Sequence, residues 1–110
     1  MEKIELPKIE VRMLDGIFVK AMKCARPGTI VEQHVHVWDH GTFIARGSFR
    51  VFKDGHDMGD FKAPTSVIIE AGTKHCFVSL EPDSVALCIH DVSGEIGEIQ
   101  VIPSEQVLRV

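Results

Sequence analysis

The chain has 110 residues, 45% of them hydrophobic and 25% charged, with a formal net charge of -4 at pH 7. That length accommodates one domain over residues 1–110 with one core and leaves no room for a second, and the composition is globular rather than disordered. An acidic balance without a Lys/Arg stripe lacks the phosphate-neutralising footprint of nucleic-acid binding, and nothing supports a membrane-surface role.

The N-terminus, Met1-Glu2-Lys3-Ile4-Glu5, alternates charge and lacks the apolar stretch of a signal peptide, and no later window reaches the ~18 apolar residues of a membrane span. The cytoplasm is therefore the expected location. Apolar residues then recur at strand spacing in Ile9-x-Val11-x-Met13, Ile17-x-Val19-x-Ala21, the run from Ile30 to His34, and Val85-x-Leu87-x-Ile89. Turn signals separate such runs: Asp15-Gly16, Arg26-Pro27-Gly28, Asp54-Gly55-His56-Asp57, Ala63-Pro64-Thr65, Glu70-Ala71-Gly72, Glu81-Pro82-Asp83 and Ser93-Gly94. They delimit about nine or ten short strands, the pattern of an all-β sandwich or barrel. Only residues 104–108, Ser-Glu-Gln-Val-Leu, offer a helical turn. Cys24, Cys76 and Cys88 have no framework spacing and read as reduced thiols.

The chemistry-bearing feature is His34-x-His36-x-x-x-His40, followed by His75 just after Gly72-Thr73-Lys74. Residues i and i+2 of a strand share a face, so His34 and His36 project together. A bend through Val37-Trp38-Asp39 returns His40 at the start of the next strand. This puts three imidazoles on one hairpin and the fourth on a distant one. Imidazole suits zinc, copper, iron, nickel and similar divalent ions, whereas calcium and magnesium prefer oxygen. A six-coordinate ion on four histidines keeps two positions open, while tetrahedral zinc closes the site and makes it structural.

These residues resemble the cupins, whose motifs read G-x5-H-x-H-x3/4-E-x6-G and G-x5-P-x-G-x2-H-x3-N. Gly28, His34, His36 and Gly47 match the first, over residues 28–47, with His40 at the place of the usual Glu. In the second, over residues 64–79, Gly72 and His75 match, whereas Pro64, Glu70 and Ser79 stand at the places of Gly, Pro and Asn. The resemblance implies a cupin-type jelly-roll β-barrel built as a two-sheet β-sandwich. With Trp38 inside the loop, the segment looks most like small bacterial cupins in which four histidines hold manganese or a similar metal. His40 removes the carboxylate on which acid-base mechanisms of other cupins depend.

The expected ligands are thus His34, His36, His40 and His75, holding a divalent transition metal such as Mn, Fe, Ni, Cu or Zn. Trp38, Arg46 and His90 are candidates for the substrate pocket. Trp38 sits at its rim, Arg46 suits a carboxylate, and His90 shares a strand face with Ala86 and Cys88. His56 reads as solvated, and Phe43, Phe49, Phe52, Phe61 and Phe77 as core or dimer-face residues. The metal set points to an enzyme acting on a small organic substrate, dioxygenase-like in chemistry. A metal-dependent lyase or isomerase is a second possibility, weakened by the absence of Tyr. The alternative from another class is a non-catalytic module that holds a sugar or small anion around a structural metal. The N-terminal segment from Ile4 to Met13 offers an edge for augmentation, and a homodimer is expected.

Overall fold

A computed structural model describes residues 5–33 and 40–91. They form nine strands: β1 (Lys8–Leu14), β2 (Ile17–Cys24), β3 (Ile30–Gln33), β4 (His40–Arg46), β5 (Ser48–Lys53), β6 (His56–Lys62), β7 (Thr65–Ile69), β8 (His75–Ser79) and β9 (Ser84–Asp91). No helix occurs among the described residues, and so none there crosses a membrane. The all-β expectation holds; residues 104–108 lie outside the described residues.

Two antiparallel sheets face each other, a five-stranded one in the order β1-β2-β9-β4-β7 and a four-stranded one in the order β3-β8-β5-β6. Local chemistry dictates two of the hairpins. At Asp15-Gly16 and Asp54-Gly55 both residues take positive φ (47° and 79°; 50° and 82°), the two-residue turn whose twist matches that of the strands it joins. Leu14 then pairs with Ile17, and Lys53 with His56.

Strand alternation sorts the side chains. In β8, His75, Phe77 and Ser79 point inward; in β2, Lys20, Met22 and Cys24 do. The core is built from Met22, Val31, Ile44, Phe49, Val51 and Phe77, joined by Cys24, Ala86 and Cys88. Phe49 and Phe77 meet edge to face with centroids 6.2 Å apart. Burial of each such ring contributes about 1.5–3 kcal/mol. β9 runs against its own hydrophobicity: Ser84, Ala86 and Cys88 face the core, whereas Ile89, 45% exposed, faces outward together with Val85 and Leu87.

The three-histidine hairpin inferred from the sequence needs correction. β3 and β4, the strands on either side of residues 34–39, belong to different sheets and do not pair. The hydrophobic pattern marks both as strands but carries no information about which sheet each joins.

Candidate metal centre

His75 is the candidate ligand whose side chain is described, and its placement is over-determined. The turn before it is clamped to the tip of the β5–β6 hairpin. The Asp54 amide donates to the Lys74 carbonyl at 2.7 Å, and the Lys74 amide donates to Asp54 Oδ1 at 2.9 Å. Thr73 Oγ1 donates to the Glu70 carbonyl at 2.6 Å, closing the same turn. His75 therefore enters β8 with its ring turned inward, 3% exposed and edge-on to Phe77 at 6.0 Å. Its strand neighbours are Gln33 of β3 and Lys53 of β5.

That register sets the last residue of β3 beside His75. Gln33 lies beside His75, and His34 is the next residue in the chain. His40 opens β4 in the facing sheet, opposite Ile69 of β7. In the β4–β9 register Gly41 pairs with Ile89 and Thr42 with Cys88. His34, His36 and Trp38 lie outside the described residues. Among the described side chains no three His, Cys, Asp or Glu converge on a point. Arg46 is exposed at the far end of β4 from His40, and His56 is exposed in the β5–β6 hairpin.

The motif positions flanking the histidines are structural clamps. Ser79, at the place of the family's Asn, is fully buried; its Oγ accepts the Thr29 amide at 2.9 Å and donates to the Arg26 carbonyl at 2.8 Å. The Gly28 amide donates to the Ser79 carbonyl at 2.7 Å. These bonds tie the start of β3 to the end of β8, and so hold Gln33 beside His75.

The sequence reading missed Lys20. It is 4% exposed, on the inner face of β2, and pairs in register with Cys88, whose Sγ lies 3.5 Å from Thr42 Oγ1. Lys20, Cys88 and Thr42 thus form one row across β2, β9 and β4. A signal was present in the even-numbered set Lys20, Met22 and Cys24, but the set Ile17, Val19 and Ala21 looks more core-like. Burial lowers the Lys20 pKa, an effect partly offset by the neighbouring Cys88. The unfolded chain holds this proton to higher pH than the folded one, so this group makes stability rise with pH between the lowered and the ordinary lysine value. Below that window the folded chain holds a buried ammonium, whose desolvation is the larger influence on it. Lys20→Met is expected to raise unfolding stability by about 1–3 kcal/mol at neutral pH, the gain shrinking as pH climbs through the window. Denaturant melts of both proteins from pH 7 to 10 check this; a destabilised variant overturns it.

A cleft of about 130 Å³ reaches His75 from the side of β6 and β7. Lys53, Glu70 and Thr73 line its polar end beside His75, and Met58, Phe61, Val67 and Ile68 its apolar walls. The Lys53 ammonium contacts Glu70 Oε1 at 2.9 Å.

With this architecture in view, the chain is similar to solved structures of one kind. It superposes on KdgF from Halomonas sp. with a TM-score of 0.58 at 26% identity, covering 76% of this chain and 74% of that one. A cupin 2 conserved barrel domain protein from Salinispora arenicola gives a TM-score of 0.64 at 17% identity, covering 79% and 77%. The fold is that of the cupins. A double-stranded β-helix domain protein from Klebsiella pneumoniae matches as well, with a TM-score of 0.67 at 18% identity over 86% and 84% of the two chains. No protein-family model and no curated protein matches the chain.

Proposed function

We propose that this cupin holds a divalent transition metal through His34, His36, His40 and His75 and uses it in oxygen-dependent chemistry on a small organic substrate. The observation that carries the reading is His75: a buried, inward-facing imidazole beside Gln33, where the chain bearing His34 and His36 begins. The donor set fits a transition metal, because four neutral imidazoles match borderline-soft ions and offer nothing to calcium. A metal held there supplies Lewis acidity and, where the ion is redox-active, electrons for oxygen chemistry. The protein supplies the rest. Phe77 packs against the His75 ring and orients it, the Asp54–Lys74 clamp fixes its backbone, and the apolar cleft walls exclude water from a bound substrate.

Metal analysis and electron-resonance spectra of protein purified without a polyhistidine tag test the first half. Oxygen uptake with enolic and diketone compounds tests the second. Near-stoichiometric manganese, iron or copper with uptake is the expected result. Metal without uptake for any redox ion would move the assignment to a lyase, an isomerase or a binding protein, and absence of metal would remove it altogether.

We further propose that the protein is a homodimer acting in the cytoplasm. Among the described residues β1 is an outer strand of the five-stranded sheet, and the outer face of that sheet displays Phe43 and Ile89, which are 36% and 45% exposed. Light scattering at micromolar concentration is expected to give twice the 12.2 kDa chain mass; a monomeric mass overturns the dimer.

A further inference from the structure

We propose that the cleft between β6 and β7 binds a short branched aliphatic carboxylate, its carboxylate on the Lys53 ammonium and its tail between Met58, Phe61, Val67 and Ile68. This names a substrate class for the proposed enzyme and rests on that reading only in placing a metal at His75.

The cleft arises from the topology. β6 is the outer strand of the four-stranded sheet, β7 the outer strand of the five-stranded sheet, and the short turn at Ala63-Pro64 joins them. Among the described residues no strand lies between these two edges, and inner-face residues of both sheets line the cleft there. The resulting volume, about 130 Å³, compares with an apolar cavity of about 150 Å³ that admits benzene, so the space suits a ligand of about six heavy atoms.

Its two ends differ in chemistry. Met58 is 50% exposed and Ile68 68% exposed at the mouth, two large apolar side chains that a ligand tail would cover. At the inner end Lys53 stands opposite His75 in the β5–β8 register. The side chain of Lys53 is 35% exposed, that of its partner Glu70 64%. Both groups line the cleft; the ammonium is the less exposed of the two, and an anionic ligand would share it with Glu70. An ammonium has three N–H donors, and the contact with Glu70 engages one side of it. A sugar fits less well: Thr73 already donates its hydroxyl to the Glu70 carbonyl, and the walls formed by Met58, Phe61, Val67 and Ile68 offer a polyol no hydrogen-bond partners. A carboxylate on Lys53 also lies next to His75, within the neighbourhood of any metal held there.

The test is a chemical-shift titration with isobutyrate and its neutral isostere isobutyramide, followed on the methyl groups of Met58, Val67 and Ile68, in metal-free and in zinc-loaded protein. Isobutyrate is expected to bind saturably and at least about tenfold more tightly than isobutyramide, the scale of one charge-assisted contact. Lys53→Met should remove that preference and leave isobutyramide binding unchanged. Glu70→Gln should do the opposite, tightening isobutyrate by removing a like charge. A purely structural role for the ion pair predicts that the two variants change binding in the same direction. Equal affinities for acid and amide, an unchanged preference in Lys53→Met, or shifts that spare Met58 and Ile68 overturn the proposal. Isobutyrate binding in protein that takes up no zinc sustains the cleft and overturns the metal centre, so the two readings fail separately.

Discussion

Gly47→Ala is expected to destabilise the fold by about 3 kcal/mol or more, at the upper end of single-residue effects. Two independent costs meet at this position. Gly47 lies between β4 and β5 with φ at 72°, where an L residue pays roughly 1–2 kcal/mol. An added Cβ would also overlap the Ser84 side chain and press on the Ser84 Cα at 3.0 Å. Ser84 has no freedom to withdraw. It is fully buried, its Oγ takes the Ser48 amide at 3.3 Å and donates to the Glu81 carbonyl at 2.9 Å, and its backbone is paired with Cys24. Relief requires displacement of β9 or β5, both of which carry core residues. The double variant Gly47→Ala/Ser84→Gly is expected to recover the overlap cost and retain the φ cost, giving a coupling of at least about 1 kcal/mol in a double-mutant cycle. Urea melts measure it. Additive effects would mean that Ser84 is not what excludes a side chain at position 47.

The same glycine shows how motif and fold were related in the sequence. Its interval from His40 matches the first cupin motif, yet the interval says nothing of Ser84, 37 positions further on. The Asp15-Gly16 and Asp54-Gly55 turns were legible because the residues that make such turns are local to them. β9 was half legible. Alternation separates Ala86 and Cys88 from Val85, Leu87 and Ile89, but which set faces inward depends on the opposing sheet, where Phe49 and Phe77 fill the space and leave room for small side chains. Lys20 was masked for a related reason: although it alternates with Met22 and Cys24, a lysine in a strand whose other face is also apolar reads as the solvent side. The pairing of strands, which separates β3 from β4 and opens the cleft between β6 and β7, is a long-range property that no local pattern carries. For the histidines the intervals sufficed to nominate His75, and the structure supplied its depth, its orientation against Phe77 and its position beside Gln33.

His75→Gln is expected to weaken metal binding by about 100-fold or more while leaving the barrel folded. Glutamine keeps most of the side-chain volume and a polar end, so the core around Phe77 is not emptied as it would be by alanine. The result is best read as ligand-linked stability. With free metal at 100 times its dissociation constant, the parent gains about 2.7 kcal/mol; a 100-fold weaker variant at the same concentration gains only about 0.4 kcal/mol. For a domain near this size each kcal/mol moves the melting midpoint by roughly 4–8 °C. Metal should therefore raise the midpoint of the parent by about 10 °C or more and that of His75→Gln by only a few degrees. His56→Gln, an exposed change in the β5–β6 hairpin, removes a histidine from the same chain and is expected to leave the full shift in place. His36→Ala separates two roles of the ion: a structural metal predicts a variant that no longer folds, whereas a catalytic one predicts a folded variant without activity. Equal metal-induced shifts in the parent and in His75→Gln would place the ion elsewhere, and the buried imidazole of β8 would then be a packing group set against Phe77.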